Sequence, residues 1–404
     1  MLVTPIFVIF TGLFLAHLLA GLAKKIGMPR AVGQILAGFL LSLPVIKNQF
    51  FTPDVTVVFG FISQIGVILL YYFIGLETSL RSFLKHFDKT ISISAYTTFV
   101  PLILGYILSK YVFGFGTMVS FLIAVVISIS SITISLDVLE ELKMVKSLIG
   151  NLLVSIAAVS NIFEFIFISA LLIVFHSATS PASLFTIALD VALFTIVVVL
   201  SRLILIPYIL KFFEIDRTST SIFAGSMIIV LMMVYFADLF GMGAFIGALM
   251  AGVIVRQIVY VEEKNPKEEH DIANFIHILS FGFFIPIFFV WIGVNTNLMV
   301  IFTDASLIFA LVIMDMFTTI IGTLIGYMLQ GGKFFDGIVV GLGLVPKGED
   351  TGIVIATLAL NSKLIDPRIY SAIVLVIFLN TIFAPVLFRK LLFKWKKQHY
   401  PASA

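Results

Sequence analysis

Ile74-Gly75-Leu76-Glu77-Thr78-Ser79-Leu80 returns 218 residues later as Ile292-Gly293-Val294-Asn295-Thr296-Asn297-Leu298. Gly33-Gln34-Ile35-Leu36-Ala37-Gly38 returns after 214 residues as Gly247-Ala248-Leu249-Met250-Ala251-Gly252. Two matches at nearly one offset argue for an internal duplication. Its meaning depends on what lies between the copies. Apolar runs long enough to cross a hydrocarbon core of ~30 Å recur along the whole chain. We read thirteen: roughly 2–23, 31–46, 54–76, 91–113, 117–136, 148–175, 183–210, 219–237, 241–257, 273–295, 305–329, 334–361 and 367–390. Each second copy lies seven runs after its partner, and an odd displacement turns it upside down in the bilayer. Inverted-topology repeats are typical of secondary transporters, whose site lies near the midplane between the halves.

Composition agrees. Of 404 residues, 60% are hydrophobic and 12% charged, against about 25% charged in soluble domains. The mean hydropathy is +1.17, and the 42 Phe suit lipid-facing helices. With no Cys, disulfides and thiolate-bound metals are excluded. Basic residues are scattered between apolar runs, which argues against nucleic-acid binding. The first run has no positive charge before it, so it reads as a first transmembrane helix rather than a cleaved leader. The expected fold is all-α, a single polytopic membrane domain of about 13 transmembrane helices over 1–404.

Charge sets the expected direction. With the N-terminus outside, 20 Lys and Arg fall in cytoplasmic turns and the C-terminal tail. Only Lys47, Lys110, Lys363 and Arg368 fall outside, with Lys347 inside a run. This bias places the C-terminus in the cytoplasm of a multi-pass cell-membrane protein.

Two runs carry interruptions. The fifth contains Ser128-Ile129-Ser130-Ser131-Ile132-Thr133, and the repeat offset maps it onto Val345-Pro346-Lys347-Gly348-Glu349 in the twelfth. Pro346 removes a backbone donor and Gly348 weakens a helix, so both runs are expected to break and cross. Half-helix ends at such a crossing aim dipoles and free backbone groups at a bound ion.

These residues resemble the cation:proton antiporter-2 family of sodium/proton antiporters and potassium-efflux proteins. The resemblance rests on Phe73-Ile74-Gly75-Leu76-Glu77, Ser130-Ser131-Ile132-Thr133 with Leu139-Glu140-Glu141-Leu142, Gly243-Ala244-Phe245-Ile246-Gly247-Ala248 with Ala251-Gly252, and Pro346-Lys347-Gly348-Glu349. It implies a mobile core (helices of about 91–175 and 305–390) and a dimerisation scaffold (about 2–76 and 183–295). It also implies a homodimer, elevator-like alternating access and exchange of Na⁺ or K⁺ for protons. No cofactor, metal or enzymatic chemistry is expected. The chemistry departs from the family pattern in two places. The acid pair of the sixth helix falls on Asn161 and Ile162, and the Lys of the eleventh falls on Thr319.

Ionisable groups inside a span are expensive and begin as functional candidates. Glu164 shares a helix face with Ser160 and Asn161, and such oxygen donors suit a monovalent cation or a proton. The competing reading is a protonated Glu hydrogen-bonded between helices. Ser131 and Thr133 of the broken fifth run join the candidate ion site. Asp315 and Thr319, four residues apart, form a second pair; the alternative for Asp315 is a hydrogen bond to the other broken helix. Lys347 and Glu349 read as a structural charge network offsetting the half-helix dipoles. Two other functions stand beside cation/proton exchange: an anion or organic solute carrier on the same fold, and a channel-like or sensory protein that does not transport.

Overall fold

A computed structural model describes residues 4–26, 28–77, 87–157, 159–160, 163, 167, 184–213, 219–262, 276–346 and 351–399. Every regular element among them is helical. In chain order these are α1 (Pro5–Lys25), α2 (Arg30–Leu41), α3 (Pro44–Phe50), α4 (Pro53–Glu77), α5 (Phe87–Ile107), α6 (Thr117–Ser128), α7 (Thr133–Glu141) and α8 (Leu148–Ala157). They continue as α9 (Leu184–Leu200), α10 (Ile206–Phe213), α11 (Ser219–Leu239), α12 (Ala244–Glu262) and α13 (Ile285–Asn295). The last are α14 (Val300–Thr303), α15 (Ala305–Leu329), α16 (Phe334–Gly343), α17 (Thr351–Asn361) and α18 (Pro367–His399). Four of them open on Pro, at the position where its missing N–H costs nothing and its fixed φ suits a helix.

Among the described residues, seven helical spans are long and apolar enough to cross a membrane unaided, and α2 with α3 makes an eighth. Each of the thirteen runs contains helix. Two differ from the sequence reading. The run 31–46 is not straight: α2 and α3 meet at 84°, because Pro44 cannot continue the ladder of α2. The last helix extends to His399, beyond the expected end near 390. Its basic last turns are held in place: Trp395 Nε1 donates to Asp336 Oδ1 at 2.7 Å, and Lys396 Nζ to Leu142 O at 3.3 Å.

The chain divides into two compact units. Unit 1 comprises 1–19, 34–79 and 169–293; unit 2 comprises 20–33, 80–168 and 294–404. The repeat is visible inside unit 1. A Cβ on Gly75 would stand 2.9 Å from Gly252 Cα, and one on Gly38 would stand 2.7 Å from Gly293 Cα. Each contact therefore pairs the first motif of one copy with the second motif of the other. Unit 1 also contains a π turn, Ser280–Phe284, just before Pro286. Pro286 cannot donate to Gly282 O, and His17 Nε2 donates there instead at 3.0 Å.

Unit 2 holds the two interrupted runs. The fifth breaks between α6 and α7, where Ile129 is extended (φ −77, ψ 134). The twelfth leaves helix after α16 and resumes in α17. Ser131 N–H donates to Pro346 O at 2.8 Å, and Ser135 Oγ to Gly343 O at 2.5 Å, so the breaks cross and bond each other. Around them Leu139, Ile149, Leu153, Val340, Leu344 and Phe388 form a buried core. Through it runs α18, 72% buried over its apolar window, whereas α1 is 28% buried over its own.

Candidate functional site

The site is built where α15, α18 and α6 meet within unit 2. Asp304 bonds Arg368 near the start of α15, and Asp315 bonds Asn380 further along, at separations of 64 and 65 residues. Near-equal separations mean that α15 and α18 run parallel. Asp315 lies three turns in from Asp304, about 16 Å at 1.5 Å per residue, or half of a ~30 Å hydrocarbon core.

Asp315 and Asn380 are both 0% exposed. Asn380 Nδ2 donates to Asp315 Oδ2 at 2.6 Å, and Thr319 Oγ1 to Asp315 Oδ1 at 3.4 Å. Each hydrogen bond to a charged group offsets about 1.5–3 kcal/mol of the several kcal/mol that desolvating a carboxylate costs. The Thr319 bond is at the long limit and contributes less. Asn380 Oδ1 is buried with no hydrogen-bond partner, a loss of about 1–3 kcal/mol. Alongside runs a narrow cleft walled by Ile123, Val126 and Ile127 of α6, Leu311 of α15, and Ile373, Val376 and Ile377 of α18. Asp315 also lines it, though the surface facing the cleft is apolar, and the cleft has room for the centre of about one water.

The other expected residues fall as follows. Ser131 is half-buried at the crossing of the broken runs. Thr133 opens α7, with its side chain outside the described residues. Ser160 is 1% exposed, and its hydroxyl lacks a hydrogen-bond partner. Asn161, Glu164, Lys347 and Glu349 lie outside the described residues. A described partner of Asp315 on another helix is Asn380 of α18. Asn380 was missed by a reading that took up polar residues only beside ionisable groups or the helix breaks. Its signal was an amide with a hydroxyl, Asn380-Thr381, inside the apolar run Ile373–Phe383.

At the N-terminal end of α15, Arg368 Nε donates to Asp304 Oδ2 at 2.9 Å, and its Nη2 bonds Oδ1. The guanidinium holds the Asp304 carboxyl below its usual range, and the Thr303 hydroxyl adds to this. Among the described residues no group of His, Asp or Glu is placed to hold a metal ion.

A buried carboxyl at mid-depth beside two crossed, broken runs is the arrangement of an ion-coupled carrier. A family model described as sodium/hydrogen exchanger, transmembrane, matches residues 11–394. The chain belongs to that family. Among curated members of the sodium/hydrogen exchanger family, a Na⁺/H⁺ antiporter of Enterococcus hirae is 27% identical over 91% of this chain and 93% of its own length. A Na⁺/H⁺-K⁺ antiporter of Bacillus cereus is 26% identical over 92% of each. The solved structure of a sodium proton antiporter from Methanocaldococcus jannaschii superposes with a TM-score of 0.63 at 15% identity, covering 98% of this chain and 97% of that one. At that identity the likeness concerns the fold, and it extends the exchanger fold over the whole chain.

Proposed function

We propose that this protein exchanges a monovalent cation, Na⁺ or K⁺, for protons across a cell membrane by alternating access. The observation that carries the reading is Asp315, a carboxyl buried half a bilayer deep in the unit that holds the crossed breaks. Membership of the exchanger family supports it, and the names of the relatives support both candidate cations. Unit 2 is the moving core and unit 1 the scaffold through which a homodimer forms. The N-terminus is outside and the C-terminus cytoplasmic.

The ion site draws on Ser131, Thr133, Ser160, Asn161 and Glu164 beside Asp315 and Thr319, with Lys347 and Glu349 balancing the half-helix ends. A carboxylate holds either a cation or a proton, so the two compete, and competition couples opposite fluxes when only a neutralised core moves. Purified protein in proteoliposomes with an internal pH dye tests this. Na⁺ or K⁺, unlike choline, is expected to collapse an imposed proton gradient, and the cation concentration for half effect is expected to fall as pH rises. Glu164→Gln is expected to abolish exchange and Asp315→Asn to weaken it. No cation-dependent proton flux from the wild type refutes the reading. Wild-type rates from Glu164→Gln move the carrier role to Asp315.

A further inference from the structure

We infer that Asn380 is a cation ligand, its Oδ1 joining the Asp315 carboxylate in an oxygen site for one dehydrated monovalent cation. The inference rests on the antiport reading for what the site carries, and adds a ligand on a helix where the sequence reading placed none. Three observations lead to it. Asn380 is 0% exposed, so its polar atoms have no bulk water to turn to. Its Nδ2 is committed to Asp315 Oδ2 at 2.6 Å, while Oδ1 is buried with no hydrogen-bond partner. Three and four residues before it, Ile377 and Val376 wall a cleft that Asp315 also lines, so Asn380 shares their helix face.

A buried amide oxygen left without a donor is unfavourable unless it has a second task. An amide carbonyl is a hard oxygen donor, the type that alkali and alkaline-earth cations take. One carboxylate and one neutral amide carry a single negative charge. That charge neutralises a monovalent cation, whereas a divalent cation leaves a net positive charge in low dielectric, where it is expensive. The same amide serves the proton-loaded state. With Asp315 ionised, the NH₂ group donates to it and Oδ1 faces the cation. With Asp315 protonated, rotation about the terminal bond lets Oδ1 accept the carboxyl O–H. One side chain thus satisfies both loads of the carrier, which a hydrophobic or purely donating residue cannot do.

The test compares wild type, Asn380→Leu and Asp315→Asn as full-length protein, by two readouts. The first is thermal stabilisation in detergent by NaCl or KCl against choline chloride at equal ionic strength. The second is dye-reported exchange in proteoliposomes at one fixed pH. We expect Asn380→Leu to raise the half-effective cation concentration on the order of tenfold or more in both, the scale of losing one well-placed ligand partner. We also expect it to flatten the preference among Li⁺, Na⁺ and K⁺, and Asp315→Asn to weaken cation stabilisation. A merely structural Asn380 would lower stability in choline too, leaving half-effective concentrations and ion preference unchanged; that result overturns the inference. If Asn380→Leu aggregates, Asn380→Ser, too short to set an oxygen beside the carboxylate, makes the same comparison with the same expected result. Absence of cation stabilisation in the wild type also overturns the site. Stabilisation that depends on Asn380, without any proton flux, upholds the site and refutes antiport. Normal antiport with unchanged cation dependence in the variants does the reverse.

Discussion

The Asp304–Arg368 pair shows what one ion pair at a helix end contributes. Asp304 is 6% exposed and Arg368 is 65% exposed, so the carboxylate is the member whose surroundings matter. Its folded-state pKa is held below the ordinary 3.8 by the guanidinium. A depressed carboxyl contributes stability that is present above the unfolded pKa and lost as pH falls through the folded one. Asp304→Asn is therefore expected to lower the thermal midpoint in detergent at pH 7. The gap from wild type should narrow once the pH drops below about 3.8. A gap that stays constant with pH would mean that shape, not charge, holds α15 to α18 there. Asp315, three turns further along α15, accepts a hydrogen bond from the Asn380 amide where Asp304 meets a guanidinium.

Helix-to-helix approach in unit 1 depends on glycines, Gly252 among them, and the backbone contacts say why. A Cβ on Gly252 would stand 2.2 Å from Tyr72 O and 2.8 Å from Gly75 Cα, neither of which can rotate away. In an apolar solvent, close backbone packing at small residues supplies much of helix association. Gly252→Ala is expected to destabilise by about 1–3 kcal/mol, the usual scale of forced overpacking. Gly21 has nothing within 4 Å of its would-be Cβ. Gly21→Ala is expected to be neutral or to stabilise by up to about 1 kcal/mol, because α1 gains helix propensity. Thermal midpoints of the two variants, measured side by side in detergent, check the contrast. Equal effects would show that α4 and α12 do not approach as closely as these contacts require.

At the scale of the molecule the charges make one claim that labelling decides. On the proposed topology twenty basic residues fall on one side and four on the other, a bias that supports an odd number of crossings. The parallel course of α15 and α18, with one run between them, is what strict alternation demands. The chain has no Cys, so single cysteines can be placed at Asn48 and Ser403 without background. An impermeant thiol reagent applied to intact cells is expected to label the first and spare the second until the membrane is opened. Labelling of both positions in intact cells would put the termini on one side and refute the count of thirteen.

Much of this was legible in the amino-acid order. Spans, breaks and the repeat follow from local properties: apolar length against bilayer thickness, a Pro-Lys-Gly or hydroxyl-rich interruption, and a motif recurring at one offset. Each can be judged within about 20 residues, since in a membrane the backbone must satisfy itself within its own helix. The pairing of Asp315 with Thr319 was legible too, because four residues bring two side chains to one helix face. The Asn380 amide was not. Its meaning comes from a carboxylate 65 residues away, and which helix packs beside α15 depends on side chains from the whole of unit 2. The same holds for Gly75 against Gly252, Gly38 against Gly293, and the 84° bend between α2 and α3. The sequence alone determined where the apolar runs lie and that the fifth and twelfth are interrupted, because those choices are made against lipid. Only the tertiary structure decided which oxygen atoms face one another, because that choice is made by helices packing against helices.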